Sequence, residues 1–351
     1  MKKTILITLA VGGALALLLA ILLFLGPTHT ANWDTEPVRI NIPQGCTYDD
    51  LRDTLDAHEV VIRKAPAAII FDLEARAVGL TKRVRPGSYV VEPHMSNLAL
   101  VRKLRNGQQD PLRLTIGKFR TPQQLNDYLN SKLMHNDFNI PLDSFHLVLQ
   151  DTYEFYWTVT PEQFMQRMEK EYNRFWEVKG SEKGVKGSER TNAKDDTNVL
   201  SLPLTPSHSL SLQEIIILAS IVEEETNNNA EKPLIASVYL NRLRRGIPLQ
   251  ADPTVKYAVG DFTIKRILNK HLSVESPFNT YLHTGLPPAP ICLPSKATID
   301  AVINGEDTES NYLYFCASDK MDGTHRFAAT LAEHQRNAAA FHRALDQRGV
   351  K

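Results

Sequence analysis

The chain has 351 residues, 42 % of them apolar, and its 40 Lys and Arg are balanced by 40 Asp and Glu. That length holds two domains with real cores. A net charge of zero, with no basic block and no Lys/Arg stripe interleaved with aromatics, leaves no nucleic-acid partner to expect.

Met1-Lys2-Lys3 precede Thr4–Gly26, a run without charge. Roughly 22 residues at about 1.5 Å each span about 33 Å, enough for a bilayer core. No Lys or Arg follows until Arg39. The positive-inside rule then predicts a cytoplasmic N-terminus with the rest of the chain across the membrane. A cleaved signal peptide would have a shorter apolar region and a small-x-small cleavage site. Leu25-Gly26-Pro27-Thr28 is a poor one, so residues 1–26 are expected to stay as an anchor. Cys46, Cys292 and Cys316 are odd in number and widely spaced, without a CxxC. No zinc site is expected, and free thiols are preferred to a disulfide.

After a short linker at Ala31–Pro37, Val38-Arg39-Ile40-Asn41-Ile42 alternates like a strand. Thr47 and Asp50 open a helix through Leu51 and Leu55, and 59–77 reads as a second helical stretch broken near Pro66. Pro86–Val91 turns into a strand, Met95–Leu104 is a helix closed at Asn106-Gly107, and Leu112–Lys118 is a strand. Residues 38–120 thus form a small α+β module. Thr121-Pro122-Gln123-Gln124 and Thr160-Pro161-Glu162-Gln163 are helix starts, with a cap, Pro at the first position and Gln at the third. Core packing accounts for the Phe164, Met168, Tyr172 and Phe175 stripe, and 121–177 reads as a helical connecting segment.

Residues 178–199 begin with a duplication, VKGSEKG then VKGSERT, and are poor in large apolar side chains. They cannot bury enough surface to offset ordering and are expected to form a flexible polar insertion.

Ser211 and Glu214 make a capping box for a helix that is apolar on nearly every side and so belongs in the middle of a domain. It ends in Glu223, Glu224 and Glu225, against the helix dipole. At 100° per residue, Glu224 shares the only polar stripe, with Gln213 and Ser220, and is expected to face solvent. Glu225 and Glu223 fall on apolar stripes, where desolvation should raise a carboxyl toward the range of a general acid. The stripe argument leaves both open. Pro233–Arg245 is a second helix, 246–261 and the GLPPAP run at 285–290 are loops, Ser295–Asn304 is helical, Tyr312–Ala317 is a strand, and Thr330–Arg348 is a closing helix. His334 and His342 lie eight apart, which is no metal spacing, and are read as surface residues.

The segments ASIVEEET, ASVYLNRL, LQADPTVKY, FNTYLHTGLPPAPI, YLYF and GTHRF, in this order over about 218–334, resemble the MltG-type (YceG-like) endolytic murein transglycosylases. Asp151-Thr152-Tyr153-Glu154-Phe155 resembles the family's domain-junction segment. Departures fall at turns: Ala289 and Ser295 stand where the family often has Gly, and Gln150 where it has Pro. The resemblance implies an α+β chain. Its parts would be a membrane helix, a LysM-like module at 38–120, and a mainly helical catalytic domain with a few strands at 200–351.

It further implies a lyase of the bacterial inner membrane with its catalytic domain in the periplasm and no cofactor or metal. The enzyme would cut the β-1,4 bond between N-acetylmuramic acid and N-acetylglucosamine in nascent peptidoglycan strands. It would leave 1,6-anhydro ends, terminate strand growth and associate with cell-wall synthases. Carried over by motif, Glu225 is the catalytic acid, with Glu223 the first of the E-x-E pair. Glu223, Asn241, Gln250, Asp252, Thr254, Tyr257, Asn279, Tyr281, His325 and Phe327 match family positions and are candidates for substrate binding. Each also has a structural reading: Asn241 as a helix bridge, Asp252-Pro253 as turn chemistry, Asn279 and Tyr281 as structural hydrogen-bonders. Two other readings stand beside the lyase: a muramidase-type hydrolase using Asp252 as base for water, and a non-catalytic, membrane-tethered glycan-binding scaffold.

Overall fold

The computed structural model describes residues 12–14, 36–60, 67–182, 210–264, 266–305, 308 and 310–348. Contacts divide the chain into two compact units. One holds residues up to 114 with 130–136 and 153–160; the other holds 115–129, 137–152 and 161 onward.

The first unit contains β1 (Val38–Ile42), α1 (Tyr48–Ala57), α2 (Ala67–Val78), β2 (Gly87–Val91) and α3 (Asn97–Asn106). The alternation of β1 buries Ile40 and Ile42 completely, and β1 pairs antiparallel with β2, Ile40 opposite Tyr89. The Thr47/Asp50 capping box starts α1 and turns Leu51 and Leu55 into the same core. Phe71, Leu100 and Leu104 complete it. The helix expected from Met95 starts two residues later, because the Ser96 hydroxyl accepts the Ala99 N–H. β3 (Leu112–Ile116), α4 (Pro122–Lys132) and β4 (Asp151–Phe155), which pairs with β3, each have residues in both units.

The second unit begins its long helices with α5 (Pro161–Glu182). Residues 178–182, expected to open a flexible insertion, are its last turns. Lys179 Nζ, 2.9 Å from Asp300, gives that end a charged partner that composition could not reveal. The rest of the insertion, 183–199, lies outside the described residues. α6 (Leu212–Glu225) is the centre: every residue from Ile215 to Val222 is buried. Around it pack α7 (Lys232–Arg244) and α10 (Lys296–Gly305). Between them come α8 (Asp252–Val259) and the single turn α9 (Asn269–Leu272).

The stretch 246–261 was expected as loop, and α8 corrects that. Pro253 sits in the first turn, where a missing N–H costs nothing, and Gly260, at φ +74°, closes the helix in the left-handed region. A hairpin of β5 (Tyr314–Ala317) and β6 (His325–Ala328), with α11 (Leu331–Gln347), ends the unit. The mix is mostly helical with small sheets, two of them antiparallel pairs.

Cys46, Cys292 and Cys316 are free thiols, Cys292 buried. Among the described residues no helix is long and apolar enough to cross a membrane, and none of the His, Cys, Asp and Glu form a group that could hold a metal ion. Of the expected span at 1–26, only 12–14 are described.

At Gly305 the end of α10 touches α7 so closely that an added Cβ would meet Ala236 Cβ at 2.9 Å and Pro233 O at 3.1 Å. Gly305→Leu should cost about 1–3 kcal/mol by overpacking. Gly260→Asn, in open space at a helix end that tolerates Asn, should cost less than about 1 kcal/mol. Thermal unfolding of the two variants reads the difference.

Candidate active site

Glu225 is the last residue of α6, and because that helix is buried on all sides its end lies inside the unit. The carboxyl separates two cavities. One, of about 330 Å³, is lined by Tyr239, Arg242, Gln250, Asp252, Tyr281 and His334 among others. The second, of about 680 Å³, is lined by Thr226, Asn228, Asp322, Thr324, His325 and Phe341 among others. Burial pushes the Glu225 carboxyl up to about 7. The Tyr239 hydroxyl, donating to Oε1, lowers it less than burial raises it, and the nearby charge of Asp252 adds to the rise. The Tyr239 hydroxyl is itself pushed well up by burial and by the Glu225 charge. Among the described residues no hydrogen bond reaches Oε2.

The other two glutamates meet different surroundings. Burial alone would raise Glu223, but the Thr298 hydroxyl, the Lys232 charge and the Ser295 hydroxyl together hold it below the usual range. Lys232 Nζ and Ser295 Oγ donate to its Oε2 at 3.2 and 2.9 Å, and Thr298 Oγ1 donates to the same oxygen. The rise expected for Glu223 from its apolar stripe is therefore reversed, since Lys232 of α7 and the hydroxyls of Ser295 and Thr298 at the start of α10 reach it. Glu224, expected in solvent, has only 14 % of its side chain exposed and pairs with Lys118 and Arg120, each at 3.0 Å. Ser220 on the same stripe is wholly buried and accepts the Ile291 N–H at 3.0 Å, tying α6 to the Pro-rich segment. The polar stripe thus faces protein rather than water.

Of the other predicted site residues, Gln250, Asp252 and Tyr281 join Glu225 around the smaller cavity. Tyr281 donates to Asp252 Oδ1 at 2.7 Å. Gln250 holds φ +50°, a left-handed conformation rare for a side-chain-bearing residue. Its N–H donates to Thr280 O at 3.1 Å, and its Oε1 accepts Arg242 Nη2 at 3.1 Å. His325 lines the larger cavity. Its backbone N–H and Nδ1 both meet the Glu231 carboxylate, at 2.8 and 3.0 Å, which fixes the proton on Nδ1 and leaves Nε2 as the open edge of the ring.

The remaining residues lie behind the cavities. Thr254, fully buried, donates to Ala251 O at 2.7 Å and contacts Thr280 Oγ1 at 2.8 Å, holding the backbone beside Gln250. Asn279, also fully buried, donates to Leu272 O and Val274 O and accepts the Tyr281 N–H, which aims that tyrosine. Asn241 donates to Ser310 O and Tyr312 O. Tyr257 packs against Phe278 with ring centroids 4.5 Å apart and planes tilted by 42°, and Phe327 packs against Tyr312 and Phe315.

Tyr239, Arg242, Tyr314 and His334 were not among the predicted site residues. Tyr239 and Arg242 sit three apart on one face of α7, and that was the available signal. Nothing in the spacing of His334 showed that its ring would stack on Tyr314, centroids 5.3 Å apart, and line the cavity.

A family model described as YceG-like matches residues 40–340. An endolytic murein transglycosylase of Bacillus subtilis (strain 168) is 41 % identical over 129 residues, 37 % of this chain and 34 % of that protein. A protein of the same description from Streptococcus pneumoniae serotype 2 is 27 % identical over 338 residues, 86 % of this chain and 58 % of that protein. The matched regions therefore span less than two thirds of either relative. A crystal structure of a yceG-like protein from Listeria monocytogenes aligns over 86 % of this chain and 99 % of that one, with 25 % identity and a TM-score of 0.47.

The raised carboxyl has a consequence for stability. Glu225 rises from 4.5 to about 7 on folding, so its contribution is intact below pH 4.5 and is lost as the pH climbs through 7. Glu225→Gln, which cannot ionise, should leave stability unchanged at pH 4. It should gain on the order of 1–3 kcal/mol over the native chain at pH 8, read by denaturant unfolding at the two pH values. Lys232→Met, which strands the Glu223 charge, should cost about 3–5 kcal/mol at pH 7.

Proposed function

The chain belongs to the YceG-like family, and from that premise we propose that it is an endolytic lytic transglycosylase of peptidoglycan. It cleaves the β-1,4 bond between N-acetylmuramic acid and N-acetylglucosamine and leaves 1,6-anhydro ends. The observation that carries this reading is one carboxyl, Glu225, lying between two cavities with its pKa at about 7. A strand threaded through both cavities would place its scissile oxygen at that carboxyl.

The chemistry needs one proton moved twice. Glu225, protonated on Oε2, gives its proton to the glycosidic oxygen as the bond to the muramic anomeric carbon breaks. The carboxylate that remains is held by the Tyr239 hydroxyl on Oε1. It then takes the proton of the muramic C6 hydroxyl, whose oxygen attacks the anomeric carbon and closes the anhydro ring. Glu225 ends protonated, as it began, and no water is consumed, unlike in the two-carboxylate hydrolases. Asp252, tied to Tyr281, and the Nε2 edge of His325 are the groups we assign to the sugars on either side. Gln250 offers its amide hydrogens, since Arg242 occupies its oxygen. Asn241, Thr254 and Asn279 serve as positioning residues, and Tyr257 and Phe327 support the site through packing.

We extend the reading to the whole chain. Residues 1–26 act as a single-pass anchor in the bacterial inner membrane, with the N-terminus cytoplasmic and the remainder periplasmic. The charge-free run after Lys2-Lys3 supports this. The module at 38–120 is LysM-like and binds glycan; its own buried core supports an independent role. The substrate is the nascent strand, cut so that its growth ends, and cell-wall synthases are the partners this position implies.

Mass analysis of muropeptides from glycan strands tests the reaction. The native chain should give anhydro ends, and Glu225→Gln should lower the rate by about 10²–10⁴. Reducing ends would favour the hydrolase with Asp252 as base, and strand binding without cleavage would favour the scaffold. Because Glu225 must be protonated to act, kcat/KM should fall about tenfold per pH unit above about pH 7. Tyr239→Phe removes a bond that lowers the Glu225 pKa, so it should move that alkaline limb upward.

A further inference from the structure

Arg242 is the one charge in the smaller cavity for which the proposed reaction has no use. It lies on α7 beside Tyr239, is 8 % exposed, and lines the cavity with Glu225. Nη1 donates to Leu249 O at 2.7 Å and Nη2 to Gln250 Oε1 at 3.1 Å, both neutral acceptors. Its guanidinium lies over the Tyr314 ring at 5.3 Å. Among the described residues Nε is buried without an acceptor. Among the described residues the groups that act on its charge are the tyrosines 239, 314 and 281, and no carboxylate pairs with it. Burial lowers the guanidinium pKa, as befits a cation without a counter-charge.

On the same wall His334 Nδ1 is buried without a partner among the described residues, its ring stacked on Tyr314. A buried cation and a buried ring nitrogen left unpaired are costly, and such deficits call for a ligand.

We propose that this cavity is a carboxylate subsite, in which Arg242, with His334 beside it, binds a carboxylate carried on the lactyl arm of the muramic residue. The inference rests on the transglycosylase reading above. N-acetylglucosamine has no anion to offer. N-acetylmuramic acid has a lactyl ether, whose carboxyl is free on strands without stem peptides and is an amide on strands that bear them. A stem supplies carboxylates farther out. The guanidinium fork suits a planar carboxylate better than a hydroxyl or an amide. The site thereby sets the register of the strand, placing a muramic residue, rather than a glucosamine, beside Glu225.

The test is calorimetric binding to the full chain carrying Glu225→Gln, which holds strands without cutting them. Three strands of equal length are compared: peptide-free with free lactyl carboxylates, peptide-free with those carboxylates converted to neutral methylamides, and stem-bearing. The free acid should bind about tenfold or more tighter than the methylamide. That difference should vanish with Arg242→Gln added and narrow with His334→Phe, which keeps the stacking. Tightest binding of the stem-bearing strand, again dependent on Arg242, would assign the carboxylate to the stem. Equal binding of all three strands would overturn the subsite. The strand comparison needs no change at Arg242, so a poorly folded Arg242→Gln does not blunt it. Absence of cleavage of every strand by the native chain would count against the transglycosylase reading alone, with the binding comparison still judging the subsite.

Discussion

The contact between the Glu225 carboxyl and the Tyr239 hydroxyl depends on a helix that has no solvent face. A carboxyl at the end of an ordinary surface helix would be hydrated and ionised at neutral pH. Here α6 is buried from Ile215 to Val222, so its last residue emerges inside the unit, at the wall of two cavities. Desolvation then favours the neutral acid, while one hydroxyl keeps the ionised form within reach. A group that must give a proton and take one back in the same cycle needs both conditions.

Three consecutive carboxylates at the negative end of a helix dipole are unfavourable together. The fold resolves the conflict by giving each a different neighbour. Glu224 meets Lys118 and Arg120, Glu223 meets Lys232 and two hydroxyls, and among the described residues Glu225 is hydrogen-bonded only by Tyr239. Glu223 is held as an anion, and the ion pairs of Glu223 and Glu224 anchor α6 to the elements around it. The third is left the least compensated, and that deficit is what makes it an acid near neutral pH. Ser295, which departs from the glycine frequent in the family, is one of the hydroxyls on Glu223, so the departure falls in the anchoring layer and leaves the cavities untouched.

A second layer of polar residues spends its hydrogen bonds on main chain. Thr254 and Thr280 fix the backbone where Gln250 adopts a left-handed conformation, Asn279 folds the turn that presents Tyr281, and Asn241 holds the segment before β5. Strain of the kind seen at Gln250 persists only where surrounding contacts over-determine it. The functional and structural readings of these motif residues are therefore partly the same: a buried asparagine that shapes a turn is structural in its contacts and functional in what the turn presents.

Periodicity and end signals were enough to place most elements. Thr47/Asp50 and Ser211/Glu214 are capping boxes in fact, Pro122 and Pro161 open helices, and α6, apolar on nearly every side, lies at the centre of its unit. These features are local, written in a few adjacent residues, and so are legible without a fold. The ordered motifs also marked the stretch that supplies Glu225, Gln250, Asp252 and Tyr281. The sequence by itself could not say which side chains from distant segments would meet. That Glu223 and Glu224 are ion-paired, and that Tyr239, Arg242 and His334 share a cavity wall with Glu225, follows only from the packing of α6 against α7, α8 and α10 and of the β5–β6 hairpin against α11. A carboxyl's charge state is set by what surrounds it in three dimensions. Helical phase tells which way a side chain points, and only the tertiary structure decides what it finds there.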